Sequence, residues 1–232
     1  PLNKVFFCEV IGTKGDMIDT LFADYKDRLN IAKKYKSANF IPAIAIHSPY
    51  SVHPFLVRET LKLAREENLP VTSHFLESRE EFEWLHKDEG AFVEFFKNFL
   101  GQEQSVTKPM EFLNLFSNIK NLSFTHCVEA SSADFDKIKL LGASVNHCVT
   151  SNRLLNNTKL DLEKLKDIPF TIGTDGLSSN NSLSMFDELR NVLMTHYDKN
   201  ILEFSNVLLK AATINGSRAL GLNKGSLAEG LD

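Results

Sequence analysis

The stretch that decides the fold, Phe170–Arg190, reads Phe-Thr-Ile-Gly-Thr-Asp-Gly-Leu-Ser-Ser-Asn-Asn-Ser-Leu-Ser-Met-Phe-Asp-Glu-Leu-Arg. Its short apolar start predicts a buried strand. Apolar positions that recur at helical spacing then predict a helix: Leu183, Phe186 and Leu189. Between the two lies Asp175, at the end of the strand where parallel α/β enzymes keep catalytic groups. A lone Asp-Gly pair more often forms a turn, but three earlier strand-like runs end in His.

Strand-like and helix-like segments alternate along the whole chain. The apolar runs lie at residues 5–10, 40–46, 69–73, 122–125, 142–145 and 169–173, and nearly all are followed by helical spacing. This order predicts parallel βα units, and the lack of a GxGxxG loop argues against an open dinucleotide-binding sheet. We therefore predict an α/β protein with a (β/α)8 TIM-like barrel. Six units are two too few, so we expect residues 1–232 to form a partial barrel domain whose first strands precede Pro1.

Composition excludes several classes of partner. The 232 residues carry a formal net charge of -4, without the clustered Lys and Arg that bind nucleic acid. No apolar run reaches the ~18 residues of a membrane span, and no signal peptide pattern begins the chain. Three cysteines without framework spacing, Cys8, Cys127 and Cys148, favour reduced thiols. We expect a cytoplasmic protein that acts on a small molecule.

The strand ends carry a repeated set of side chains. In a barrel, the carboxyl ends of all strands share one mouth, so His47, His74, His126, His147 and Asp175 could converge there. Imidazole and carboxylate ligands suit zinc or ferrous iron, which can lower the pKa of a water to about 7. Glu77, which follows His74 by three residues, could move protons. It could equally be a helix N-terminal acid that interacts with the helix dipole.

Five motifs in order resemble the amidohydrolase superfamily. They are His47-Ser48-Pro49-Tyr50, His74-Phe75-Leu76-Glu77-Ser78, Thr125-His126-Cys127, His147 with Ser151-Asn152, and Gly173-Thr174-Asp175-Gly176 with Ser179-Asn180-Asn181. The similarity is to the branch of cytosine-deaminase-like and chlorohydrolase-like enzymes, in particular the adenosine and S-adenosylhomocysteine deaminases. It runs from the first strand to Gly230.

The resemblance implies a distorted barrel with one divalent metal ion, zinc or iron, and a role for five residues. His74 and Asp175 would be metal ligands, and Asp175 would also take a proton from the attacking water. Glu77 would contact the substrate and protonate a ring nitrogen, while His126 would hydrogen-bond the attacking water. His47 would contact the substrate. The implied reaction is hydrolytic replacement of the amino group at C6 of an adenine ring, with release of ammonia.

Two departures from the family pattern limit what the resemblance implies. The His-x-His pair of the family's first strand is not in this sequence, so we expect an incomplete metal site in this chain alone. Val149 replaces the usual Pro, so His147 and Asn152 are given structural roles by default. The segment from Gly225 to Asp232 resembles the re-entry into a flanking β-sandwich that the chain lacks.

The function implied by the resemblance is a metal-dependent aminohydrolase that deaminates the adenine ring of a nucleoside. S-adenosylhomocysteine, methylthioadenosine, adenosine and 6-amino-6-deoxyfutalosine are the candidate substrates, and a homodimer is expected. Guanine, cytosine or triazine substrates remain open, because pocket shape decides the leaving group. A second class also remains open, namely a barrel fragment that binds a nucleoside without catalysis.

Overall fold

The computed structural model describes residues 3–227 and 229, which form six parallel strands with helices between them. The strands are β1 (Lys4–Val10), β2 (Phe40–Ile46), β3 (Val71–Phe75), β4 (Leu122–His126), β5 (Ser144–His147) and β6 (Phe170–Ile172). The helices are α1 (Ile18–Lys34), α2 (Pro54–Glu67), α3 (Arg79–Lys87), α4 (Phe92–Leu100), α5 (Pro109–Asn114), α6 (Ser132–Leu140), α7 (Val149–Leu154), α8 (Met185–Thr195), α9 (Ile201–Lys210) and α10 (Gly216–Ala219). A π-helical turn at Ala211–Asn215 joins the last two.

Each strand pairs in parallel with the next one along the chain, so the sheet order is β1-β2-β3-β4-β5-β6. This is the order of a (β/α) barrel, and the predicted class of fold is confirmed by six of its eight strands. The predicted sandwich re-entry at Gly225–Asp232 extends over residues 228 and 230–232, which lie outside the described residues.

The two faces of the sheet differ because side chains alternate along a strand. Val71, Phe75 and Phe124 point outwards into an apolar core that they share with α1 to α6. The inner face is polar and lines one cavity of about 340 Å³ with Thr72, His74, Ser123, Thr125, Asn146 and Thr171. Phe7 of β1 lines the same cavity as Thr171 of β6, so the sheet curves around it.

The loops that leave the carboxyl ends of the strands are fixed by side-chain caps. His53 accepts a hydrogen bond from Phe55 N at the start of α2, with Pro54 in the first turn. Ser131 caps α6 in the same way, and Ser78 caps α3. These caps order the loops immediately after β2, β3 and β4, which carry the predicted site residues. Among the described helices, none combines the length and apolar composition needed to cross a lipid bilayer.

Candidate active site

Four of the predicted residues form a continuous group at the carboxyl ends of the strands. The His47 and His74 rings are 5.2 Å apart between centroids, and the His74 and His126 rings are 5.3 Å apart. His126 Nε2 lies 3.8 Å from Asp175 Oδ2. His74 and Asp175 line the same cavity. The predicted convergence at the barrel mouth is therefore confirmed for these residues.

Glu77 completes the group on the side of β3. Its Oε1 lies 3.5 Å from His126 Nε2, the same nitrogen that faces Asp175. One ligand atom from each of Glu77, His126 and Asp175 lies within 4.8 Å of the others. One imidazole nitrogen and two carboxylate oxygens are a donor set that suits zinc or iron. His74 is not among these three groups but stacks on His126, so its predicted role as a metal ligand stays a prediction.

The backbone at these strand ends takes an unusual conformation. Leu76, His126, Cys127 and Asp175 have φ angles of 44°, 71°, 53° and 59°, in the left-handed region that non-glycine residues rarely adopt. The reason is clear in β4, where Thr125 faces the cavity and a regular strand would turn His126 outwards. The left-handed pair at 126 and 127 returns the imidazole to the inner face. Such conformations cluster at functional sites.

Two polar residues of α7 orient the site directly, and one of them, Asn152, was given a structural role from the sequence. Asn152 is buried, and its Oδ1 lies 2.8 Å from His126 Nδ1. Accepting a hydrogen bond there places the proton on Nδ1 and leaves Nε2 free to face the two carboxylates. Ser151 donates a hydrogen bond to Asp175 Oδ2 at 2.7 Å. The signal in the sequence was their place directly after β5, in α7, at the same sheet edge as Asp175.

A buried carboxylate on α8 stabilises the loop after β6 through hydrogen bonds. Glu188 of α8 is 2% exposed and accepts hydrogen bonds from Thr150 N, Thr150 Oγ1 and Asn180 Nδ2. The Asn180 amide also donates to Thr174 O at 2.6 Å, next to Asp175. Asp175 Oδ1 in turn accepts from Gly176 N at 2.6 Å. This network explains the polar Ser-Asn-Asn loop that follows Asp175 in the sequence.

The His47 ring is oriented by the serines of its own motif. Its Nδ1 lies 2.6 Å from Ser51 Oγ and 3.1 Å from Ser48 Oγ, and both serines are buried. Tyr50 contacts the ring edge-on, with centroids 5.8 Å apart. With Nδ1 engaged by the serines, Nε2 is the nitrogen left for another partner. This geometry is compatible with the predicted contact to substrate, which stays a prediction.

His147 does not join the group at the barrel mouth, and this agrees with the structural role given to it from the sequence. His147 is fully buried on the outer face of β5, where its Nε2 lies 3.3 Å from His196 Nε2 of the segment after α8. Alternation along the strand explains this position, since the neighbouring Asn146 takes the inner side and lines the cavity. Gly173 of the next chain segment is packed so closely that a Cβ atom there would lie 2.8 Å from Asn146 Nδ2.

The two buried histidines should make the protein less stable in mild acid. Burial lowers the pKa of His147 to about 3 and that of His196 to about 4, so both are neutral when folded. The unfolded chain takes up protons below about pH 6.5, and the free energy of unfolding falls as the pH drops below that value. We expect the free energy of unfolding, measured with urea on the full-length protein, to fall between pH 7 and pH 5 in both proteins. In His147→Gln the fall should be about 2 kcal/mol smaller than in wild type. Ile138→Val, a buried control without a titrating group, should keep the wild-type loss. An unchanged loss in His147→Gln would contradict the assignment.

The environment of the site lowers the pKa values of two histidines and shifts the pKa values of the two carboxylates in opposite directions. Burial lowers the pKa of His74 and of His126, which keeps both imidazoles neutral and able to bind a cation. Burial raises the pKa of Glu77. Burial acts in the same direction on Asp175, but hydrogen bonds from Ser151 and Gly176 and the nearby His126 outweigh it and lower that pKa. Two carboxylates with pKa values shifted in opposite directions can serve as acid and base.

Comparison with known proteins gives the same family as the motifs. A sequence profile described as the amidohydrolase family matches residues 14–232. An aminodeoxyfutalosine deaminase of a Nitratiruptor species is 44% identical over 231 residues, which is 100% of this chain and 57% of that protein. The chain spans about half the length of the curated relatives it matches.

Two solved structures show the same fold. The crystal structure of Helicobacter pylori aminofutalosine deaminase in complex with methylthio-coformycin superposes with a TM-score of 0.94 at 32% identity, over 100% of this chain and 57% of that one. An adenosine deaminase from Xanthomonas campestris with bound zinc superposes with a TM-score of 0.74 at 25% identity, over 99% of this chain and 51% of that one. The profile match over nearly all of the sequence and the agreement of the folds lead to one conclusion: the chain belongs to the amidohydrolase family.

Proposed function

We propose that this chain is part of a metal-dependent deaminase that hydrolyses the 6-amino group of an adenine nucleoside. Residues 1–232 are its partial barrel domain. The observation that carries the proposal is the convergence of Glu77 and Asp175 on His126 Nε2, at 3.5 and 3.8 Å. The 44% identical relative is named an aminodeoxyfutalosine deaminase, and this favours 6-amino-6-deoxyfutalosine among the candidate substrates.

The residues divide the work of the reaction according to their environment. Asp175, whose pKa is lowered, accepts a proton from the attacking water, and Glu77, whose pKa is raised, donates one to a ring nitrogen. His126 hydrogen-bonds the water through Nε2, because Asn152 engages its Nδ1. His47 contacts the substrate from the side of β2. A bound divalent cation would supply a water that ionises near neutral pH.

The proposed cofactor is one zinc or iron ion, held by Asp175 and His74 with other ligands from the full-length protein. Zinc is bound in the Xanthomonas campestris adenosine deaminase, which superposes over 99% of this chain. Metal analysis of the full-length protein should give about one divalent ion per chain. Removing the ion with a chelator should abolish turnover, and adding zinc or ferrous iron should restore it. A clearly sub-stoichiometric metal content would instead favour a nucleoside-binding protein without catalysis.

Ammonia release from a panel of substrates tests the function directly. The full-length protein should release ammonia from 6-amino-6-deoxyfutalosine and, more slowly, from adenosine or methylthioadenosine. Guanine, cytosine and a triazine serve as controls. Faster release from one of these would overturn the assignment to adenine nucleosides, and no release from any compound would overturn the assignment as a deaminase.

We also propose a homodimer located in the cytoplasm. Light scattering and cell fractionation test these two points.

A further inference from the structure

Glu81 is a buried carboxylate next to the active site that has no part in the chemistry proposed so far. It lies in the first turn of α3 and is 1% exposed. Its Oε1 accepts a hydrogen bond from Leu76 N at 3.1 Å, and its Oε2 accepts one from Glu77 N at 2.8 Å. We propose that Glu81 is a positioning residue that holds the turn after β3 and thereby keeps the Glu77 carboxylate against His126.

The turn needs such support because its backbone is in an unfavourable conformation. Leu76 has a φ of 44°, which is costly for a bulky side chain, and the side chain is fully buried. The Leu76 carbonyl accepts a hydrogen bond from Glu129 N at 2.9 Å. On the other side of the turn, the amides of residues 76 and 77 both donate to Glu81. Removing the carboxylate would leave buried amides unpaired and let the turn relax.

The fold keeps Glu81 in place independently of the active site. The Glu81 amide donates to Ser78 Oγ at 3.2 Å in the cap of α3, so the residue is fixed by the start of the helix. Burial raises the pKa of Glu81 to about 8, while the two backbone donors lower it because they stabilise the ionised form. Glu81 and Glu188 resemble each other in their position in the fold. Each lies on the helix that follows a loop of the proposed active site, and each accepts hydrogen bonds from that loop.

The inference rests on the proposed role of Glu77 as a proton donor. Catalytic groups lose much of their effect when they are displaced by about 1 Å, so the turn should matter for turnover more than for binding. In the full-length protein, Glu81→Gln should lower kcat by about 10- to 100-fold with little change in KM. Hydrogen exchange at the amides of residues 76 and 77 should become faster. Glu80→Gln, on the exposed side of the same helix, is the matched control and should change neither.

A double-mutant cycle separates positioning from a general structural role. If Glu81 acts through Glu77, then Glu81→Gln should have almost no further effect on kcat in a Glu77→Gln background. Effects that multiply would overturn the proposal, as would unchanged exchange of the two amides. Glu81→Asp replaces Glu81→Gln in the same cycle if the latter does not fold. A wild-type protein that releases no ammonia would refute the proposed function instead, and the exchange measurement would still test the contact.

Discussion

Asp175→Asn in the full-length protein should reduce the turnover number by roughly 10³- to 10⁴-fold while leaving the fold intact. The amide keeps the size of the side chain but cannot take a proton from water at neutral pH. Its loop should stay ordered, because Asn also tolerates the left-handed backbone at φ 59° and because Asn180 still anchors Thr174. Steady-state ammonia release measures the turnover number, and circular dichroism checks that the fold is intact.

A matched control for Asp175→Asn lies on the surface. Asp167 also has a left-handed backbone, with φ 67°, but it pairs with Lys139 on the surface and does not line the cavity. Asp167→Asn should leave turnover unchanged. His126→Ala should match Asp175→Asn in its loss of activity, since it removes the imidazole that both carboxylates face. Retained activity in both Asp175→Asn and His126→Ala would refute the assignment of the site.

Glu77→Gln should lower kcat by roughly 10²- to 10⁴-fold with substrate binding largely unimpaired. Glutamine can still hydrogen-bond a ring nitrogen through its amide, but it has no acidic proton to give in the transition state. The partly buried position of Glu77, whose pKa is raised by desolvation, supports the role of acid. Stopped-flow or steady-state kinetics with the preferred nucleoside separates kcat from KM.

Two outcomes would distinguish the proposed role of Glu77 from its alternative. If Glu77 were only a helix N-terminal acid, Glu77→Gln should lower the stability slightly and leave kcat unchanged. Glu80→Gln provides that comparison, because Glu80 lies in the first turn of α3 and is exposed. An unchanged kcat for Glu77→Gln would exclude the role of proton donor.

The strands and the residues after them were predictable because their signals are local. The run Phe40–Ile46 became β2 without a change of bounds, and the periodic apolar residues after Ile18 became α1. His47, His74, His126 and Asp175 could be placed at one edge because parallel strands end together. Their family roles needed the motifs, since spacing alone left Glu77 open between an acid and a helix-terminal residue.

Other features could not be predicted because they depend on contacts between distant residues. Asn152 orients His126 across 26 positions, and Ser151 reaches Asp175 across 24. The left-handed backbone at His126 reverses the face that alternation assigns to it, whereas His147 obeys alternation and points away from the mouth. A pattern read along one strand cannot distinguish these two histidines.

The four left-handed residues at the barrel mouth have a consequence for protein engineering. Each such conformation costs on the order of 1 to 3 kcal/mol, and together they approach the net stability of an ordinary domain. Variants selected only for heat resistance should therefore gain from Asp175→Gly, because Asp175 is the one of the four that is not buried, whereas a smaller residue at Leu76, His126 or Cys127 would leave a cavity. Such gains would come at the expense of catalysis, so a selection that does not also demand turnover would favour robust but inactive enzymes.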